Sequence, residues 1–215
     1  MIVVIQCAAR KQDNAGHLRT IHGRNVMFVA QPKDAPAGRS EVYARPDDTS
    51  DTGQSWRTLL QEYNAAPGDN PLGLLPAWQL YKNPTYKLLA EHCGRDRFYI
   101  LSAGWGLIRA DFLTPKYDIT FSRARNVEPF KRRGRQENYA DFKLPSGTTE
   151  SIVFFGGRAY IPLFCKLTAN ATGDRIVFYA GRAEPDAPGC TLQSFGAPFT
   201  NWHYQCARKF VAGNL

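Results

Sequence analysis

The chain has 215 residues, 43% hydrophobic and 13% aromatic, which excludes a disordered protein and suffices for one sizeable core. Its 27 Lys and Arg against 19 Asp and Glu leave a net charge of +8, which favours a polyanionic partner, nucleic acid first. The five cysteines are scattered without a CxxC pair and the four histidines form no HExxH pair, so no metal site is expected and a reducing, cytoplasmic setting fits.

Ile2 to Gln6 is an uninterrupted β-branched run, the pattern of a strand buried on both faces. It ends in Cys7-Ala8-Ala9-Arg10-Lys11, small residues followed by two cations. The apolar start is too short for a signal peptide, and no run approaches a membrane span, so a soluble protein without membrane contact is expected. Asn25 to Ala30 reads as a second strand. Gln31 to Gly53 reads as a long surface connection, with room for a short strand at Glu41 to Ala44 and with solvated acids at Asp47, Asp48 and Asp51.

Trp56 to Asn64 has helical spacing, with Trp56, Leu59, Leu60 and Tyr63 on one face. Ala65 to Pro76 is a Pro/Gly-rich link that completes a surface insertion over 31–76. Ala77 to Cys93 reads as two short helices, the second starting near Pro84 and ending at Gly94, with His92 a helix-end residue.

The stretch FYILSAGWGLIRADFLTPKYDITF, Phe98 to Phe121, opens as a buried strand and breaks at Ser102-Ala103-Gly104-Trp105-Gly106. It then carries Asp111 and Asp118, candidates for a general base, a nucleophile or an electrostatic stabiliser. A basic arm over 122–139 follows, with Arg123, Arg125, Lys131, Arg132, Arg133 and Arg135. It is either a solvated face or, being arginine-rich, a phosphate-binding segment. Ser151 to Phe155 and Arg175 to Tyr179 are two more buried strands, ending in Gly156-Gly157-Arg158 and Gly181-Arg182. Tyr160 to Thr168 and Phe199 to Val211 read as helices, and Pro185 to Pro198 as a loop.

The pattern predicts a single α/β domain with a mostly parallel central sheet flanked by helices in three layers. Its carboxyl edge gathers the four strand ends into one basic crevice. No Walker A, GxGxxG or GxSxG sequence is present, so no cofactor is expected. A carboxylate beside aromatics and a basic rim fits cleavage of a sugar–base bond through an oxocarbenium-like transition state. On DNA the base must first leave the stack. Cys7, Ser102, Gly104, Gly156 and Gly157 are candidates to line such a pocket, and Trp105, Tyr117, Phe121 and Tyr160 to stack on the base. Arg10, Lys11 and Arg158 join the basic arm as candidate phosphate contacts. Trp105 is equally readable as core, and Asp111 as a turn residue, which leaves Asp118 the stronger acid.

Several of these residues form a pattern that resembles YaaA and YaaA-like (DUF6884-type) proteins. The matching residues are Cys7 to Lys11, Ala77/Leu80/Tyr81, Ser102-Ala103 with Gly106-Leu107-Ile108, Asp111, Tyr117-Asp118, and Gly156-Gly157 with Tyr160. The resemblance implies DNA binding, and relatives of this kind include phage-defence glycosylases that excise glucosylated hydroxymethylcytosine. It implies base excision from modified DNA with Asp111 or Asp118 at the reaction centre; no obligate protein partner is expected. The long connection at 31–53 and the arginine run depart from the family pattern. Water is the expected nucleophile, because Lys11 would attack as an amine only with a depressed pKa. A non-catalytic DNA-binding protein and an enzyme acting on a free nucleoside or nucleotide are the alternatives.

Overall fold

A computed structural model describes residues 1–37, 41–196 and 199–215; the parts of the expected loops at 38–40 and 197–198 lie outside the described residues. Six strands form the central sheet: β1 (Ile2–Gln6), β5 (Phe98–Ser102), β6 (Gly106–Arg109), β8 (Ile152–Phe155), β9 (Arg175–Tyr179) and β10 (Thr191–Ser194). Their order is β10-β9-β8-β1-β5-β6, and every pair is parallel except β5 with β6. The four strands expected from apolar runs are four neighbours in this sheet, and their carboxyl ends share one edge.

Phe154 and Phe155 identify the layers. Consecutive strand residues point to opposite faces. Phe154 stacks on Phe164 of α4 (Ile161–Leu167), while Phe155 packs on Phe210 of α5 (Trp202–Val211). Helix α3 (Thr85–Cys93) packs beside α5 and against β1 and β5. Helices therefore cover both faces, and the fold is a three-layer α/β domain. Pro84 precedes α3 and Gly94, at φ 79°, ends it. His92 lies in its last turn with its ring against Phe210.

Two strands of the central sheet escaped the sequence reading, as did the two-residue strands at Leu75–Pro76 and Leu113–Thr114. Gly106 starts β6 as the return arm of a tight hairpin from β5. At φ 86° it needs glycine, and a Cβ there would stand 2.6 Å from the Phe142 carbonyl oxygen. β10 is a polar edge strand without an apolar run to announce it.

The remaining strands form small separate sheets. β2 (Asn25–Phe28) pairs with β3 (Glu41–Ala44), and β4 (Leu75–Pro76) with β7 (Leu113–Thr114). The run at 25–30 is thus shorter than expected and lies outside the main sheet.

The segment 31–76 is only partly superficial, because Ala44, Trp56, Leu60 and Leu74 are buried in the common core. Its three acids expected to be solvated keep contact with solvent, Asp51 exposed and Asp47 and Asp48 partly so, but each is also hydrogen-bonded. Asp47 bonds Arg57 and the Ala140 N–H, Asp48 pairs with Arg45, and Asp51 accepts from the Ile21 N–H. Two of those partners, Ala140 and Ile21, are remote in sequence, and local composition carried no sign of them. A short helix, α2 (Ala77–Leu80), follows, and α1 (Trp56–Ala65) starts at Ser55, whose side chain accepts the Thr58 N–H.

Candidate functional site

Strand β1 has β5 on one side and β8 on the other, so the chain reverses its direction of growth between β1 and β8. Ligands of open α/β sheets sit at the carboxyl ends flanking such a reversal. A crevice opens there in two adjoining lobes, of about 750 Å³ and about 420 Å³. Both lobes are lined by Cys7, Ala8, Ala9 and Arg10 from the end of β1, by Thr120 and Ser122, and by Tyr160. Lys82, Asn83, Asn201, His203 and Tyr204 complete the larger lobe. Lys11, Asp118, Asn126 and Lys131 complete the smaller one.

Buried phenols build the wall beneath. Ser102 donates to the Tyr117 hydroxyl at 2.9 Å, and the Tyr117 and Tyr81 hydroxyls meet at 2.8 Å. Tyr81 stacks on Tyr86, which donates to the Gln6 carbonyl at 2.8 Å and meets the Tyr204 hydroxyl at 3.3 Å. Cys7 Sγ and the Tyr160 hydroxyl stand 3.3 Å apart, joining the two sides of the reversal. Burial pushes Tyr81, Tyr86, Tyr117 and Tyr160 well above the usual phenol range, so these are neutral hydrogen-bonding groups.

Asp118 is the only carboxylate among the described residues lining either lobe. Its N–H bonds the Phe28 carbonyl at 2.8 Å, which fixes the backbone that presents it. Lys131 Nζ stands 2.6 Å from Asp118 Oδ2 and also reaches Glu128. Partial burial works against the Lys131 charge, but its bonds to the two carboxylates outweigh it and carry the ammonium above the usual lysine range. Lys11 is buried beside this pair, its Nζ 3.3 Å from the Ala8 carbonyl oxygen and 4.0 Å from the centre of the Tyr117 ring. Desolvation holds it below the usual range, against the raising fields of Cys7 and Asp118.

The sequence candidates divide sharply. Cys7, Arg10, Lys11, Asp118, Lys131 and Tyr160 meet in the crevice. Asp111 does not: it is exposed and pairs bidentately with Arg109 in the turn after β6. Trp105 is fully buried with its ring edge-on to Phe28, and so is no stacking platform. Tyr117, Phe121 and Tyr160 are buried as well, with Phe121 edge-on to the Tyr160 ring; of the four, Tyr160 lines the crevice. Ser102 accepts the N–H groups of Gly104 and Trp105, both at 3.1 Å, so Ser102 and Gly104 serve the hairpin. A Cβ on Gly156 would strike the Phe154 ring, and the Gly157 N–H is taken by Gln6 at 2.7 Å, so these glycines serve packing and the turn.

The basic arm divides too. Arg123 and Arg125 are exposed on the loop that carries Ser122 and Asn126 into the crevice. Arg132 bonds the Val127 and Ala124 carbonyls of that loop. Arg133 is buried, bidentate with Asp141 and donating to the Ala103 carbonyl at 2.8 Å, so it is a structural ion pair and no phosphate contact. Arg135 and Arg158 face a separate groove beside α4.

Sequence reading missed Gln6, Thr120, Ser122, Asn201, His203 and Tyr204. Thr120 and Ser122 lie two and four positions after Asp118, a strand-like alternation that points to the same side. Nothing local distinguishes the α5 residues from an ordinary aromatic helix. Among the described residues, no cluster of His, Cys, Asp or Glu is suited to a metal ion, and no helix is long and apolar enough to cross a membrane. No family model, curated protein or solved structure matches the chain.

Proposed function

We propose that the chain cleaves the bond between a modified base and its sugar in DNA, leaving an abasic site. The observation that carries this reading is Asp118, the one carboxylate among the described residues of a crevice whose other polar lining at the strand reversal includes the cations Arg10, Lys11, Lys82 and Lys131 and the hydroxyls of Thr120, Ser122 and Tyr160. A carboxylate so placed is suited to stabilising the positive charge that develops on a sugar as its base departs. Arg10 at the crevice, with Arg123 and Arg125 on the neighbouring loop, would hold the flanking phosphates, and Tyr160 would meet the extruded base. The resemblance of Cys7 to Lys11, Tyr117-Asp118 and Gly156-Gly157 to YaaA-like sequences supports the same reading. It also points to glucosylated hydroxymethylcytosine of phage DNA as the base to try first, and to action in the cytoplasm.

A second reading, an enzyme of free nucleosides or nucleotides, is favoured by one observation: Arg132 and Arg133 bind their own chain rather than face outward. One experiment separates the two. The protein is incubated with unmodified DNA, hypermodified phage DNA and the matching free nucleosides, and released base and alkali-labile sites are measured. Release from modified DNA alone supports excision; release only from nucleosides supports the second reading; no release from any of them overturns both.

A further inference from the structure

The roles assigned to Asp118 and the rim cations leave Lys11 without work, although it is the most deeply buried charge in the crevice. Lys11 is 8% exposed and lines the smaller lobe together with Asp118. Its ammonium has a poor set of partners: one carbonyl at 3.3 Å, the face of Tyr117 at 4.0 Å and that of Tyr81 at 5.9 Å. No carboxylate among the described residues forms an ion pair with it, and Asp118 is paired with Lys131 instead. A lysine that served packing alone would extend its head to water. This one is anchored in the wall by its backbone pairing with Tyr81, with its amine held inside the crevice.

We propose that Lys11 is an amine nucleophile toward C1′ of the sugar whose base is excised, and that it forms an imine with that carbon. The inference rests on the base-excision reading and replaces water as the expected nucleophile. An amine acts in this way only when neutral, and the same burial that leaves Lys11 poorly partnered lowers the cost of losing its proton.

The step balances without any added reactant. The Nζ lone pair forms the bond to C1′ as the bond from C1′ to the base nitrogen breaks, and the base leaves with that electron pair. The sugar ring then opens as the C1′–O4′ bond breaks and the second Nζ–C1′ bond forms. One amine proton leaves with the departing base; the other stays on the nitrogen as the ring opens, so that the imine forms protonated, and then passes to O4′. Water later hydrolyses the imine, restoring the amine and releasing the sugar as its aldehyde. Asp118, in the same lobe, faces the positive charge carried by the protonated imine.

The test uses the full chain and DNA with a preformed abasic site, made by a separate uracil-excising enzyme, together with cyanoborohydride. Reduction would fix the imine as a secondary amine, and peptide mapping by mass spectrometry would place it at Lys11. The mapping is done on the native sequence, so it does not depend on a variant that folds. Lys11→Arg, which keeps the charge and removes the nucleophile, should reduce trapping to the level of control DNA whose abasic aldehyde has been reduced beforehand. The trapping rate of the native protein should level off at a lower pH than that of exposed lysines. An adduct mapped to Lys131, Lys82 or surface lysines, or no adduct, overturns the proposal. Base release from modified DNA without trapping at Lys11 overturns it too, and leaves excision standing with water as nucleophile. Trapping at Lys11 without base release from any modified DNA supports Lys11 as a sugar-aldehyde amine and overturns the excision reading.

Discussion

Arg57 donates to the Trp105 carbonyl at 2.9 Å across 48 positions of sequence, and to the Gly104 carbonyl at 3.0 Å. Its Nε meets Asp47 at 2.5 Å, and Asp47 in turn accepts the Ala140 N–H. One guanidinium therefore closes the β5–β6 hairpin against two remote segments. Arg57→Ala would leave the buried Gly104 carbonyl without its donor and the Trp105 carbonyl with the Phe142 N–H alone, and would unpair Asp47. It should cost about 3 kcal/mol, which for a chain of this size lowers Tm by roughly 6–12 °C in a thermal melt. Arg57→Lys should recover only part of this, because an ammonium cannot match the planar fork.

Asp118 and Asp111 make a matched pair of variants. Asp118→Asn should lower base release by about 10²–10⁴-fold, the usual worth of a positioned acid–base or stabilising group, with Tm nearly unchanged. Asp111→Asn breaks only the exposed pair with Arg109 and should leave release intact. Single-turnover measurement on modified DNA checks both, and equal losses would count against the assignment to Asp118.

His203 sets an acid limit on stability. Burial drives its pKa from 6.5 down to about 4, and its Nε2 has no hydrogen-bond partner. The unfolded chain therefore binds a proton at a pH where the folded one does not. The stabilisation is complete above pH 6.5 and is lost as the pH falls toward 4, to the extent of about 3 kcal/mol. His203→Leu should flatten this part of the Tm–pH curve, whatever its effect at neutral pH.

The arginines of the basic arm should separate by assay. Charge removal at Arg123 and Arg125, both exposed, should weaken binding to any DNA and reduce the salt slope by about one for each phosphate no longer neutralised. Arg133→Gln should instead destabilise the fold by about 3–5 kcal/mol, since it strands a buried Asp141. Filter binding at several salt concentrations, beside melts of each variant, distinguishes the two effects.

The fold was legible where apolar runs were long. Ile2–Gln6, Phe98–Ser102, Ile152–Phe155 and Arg175–Tyr179 are buried on both faces, and such strands announce themselves by composition. Gly106–Arg109 was hidden because its pairing depends on a tight turn, and Thr191–Ser194 because an exposed edge strand needs no apolar residues. Within the site, the places of Cys7 and Lys11 were readable from the small residues and cations that follow the first strand, and Asp118 from the Tyr-Asp pair leading into an apolar Ile119. Trp105 and Arg133 were misplaced for a common reason: a large aromatic or a cation looks functional until its burial partners are known, and those of Arg133 include the remote Ala103 carbonyl. Tyr204 and His203 reach the crevice from the far end of the chain, and no local pattern encodes that.

The contact between Cys7 and Tyr160 spans 153 positions, and that between Tyr86 and Tyr204 spans 118. A chain emerging from the ribosome therefore has the cations of β1's end long before it has a crevice to hold them. Any chemistry at Lys11 or Asp118 must wait until β8 and α5 have been made and docked. Half-built chains carry the positive charge of the crevice but lack its walls.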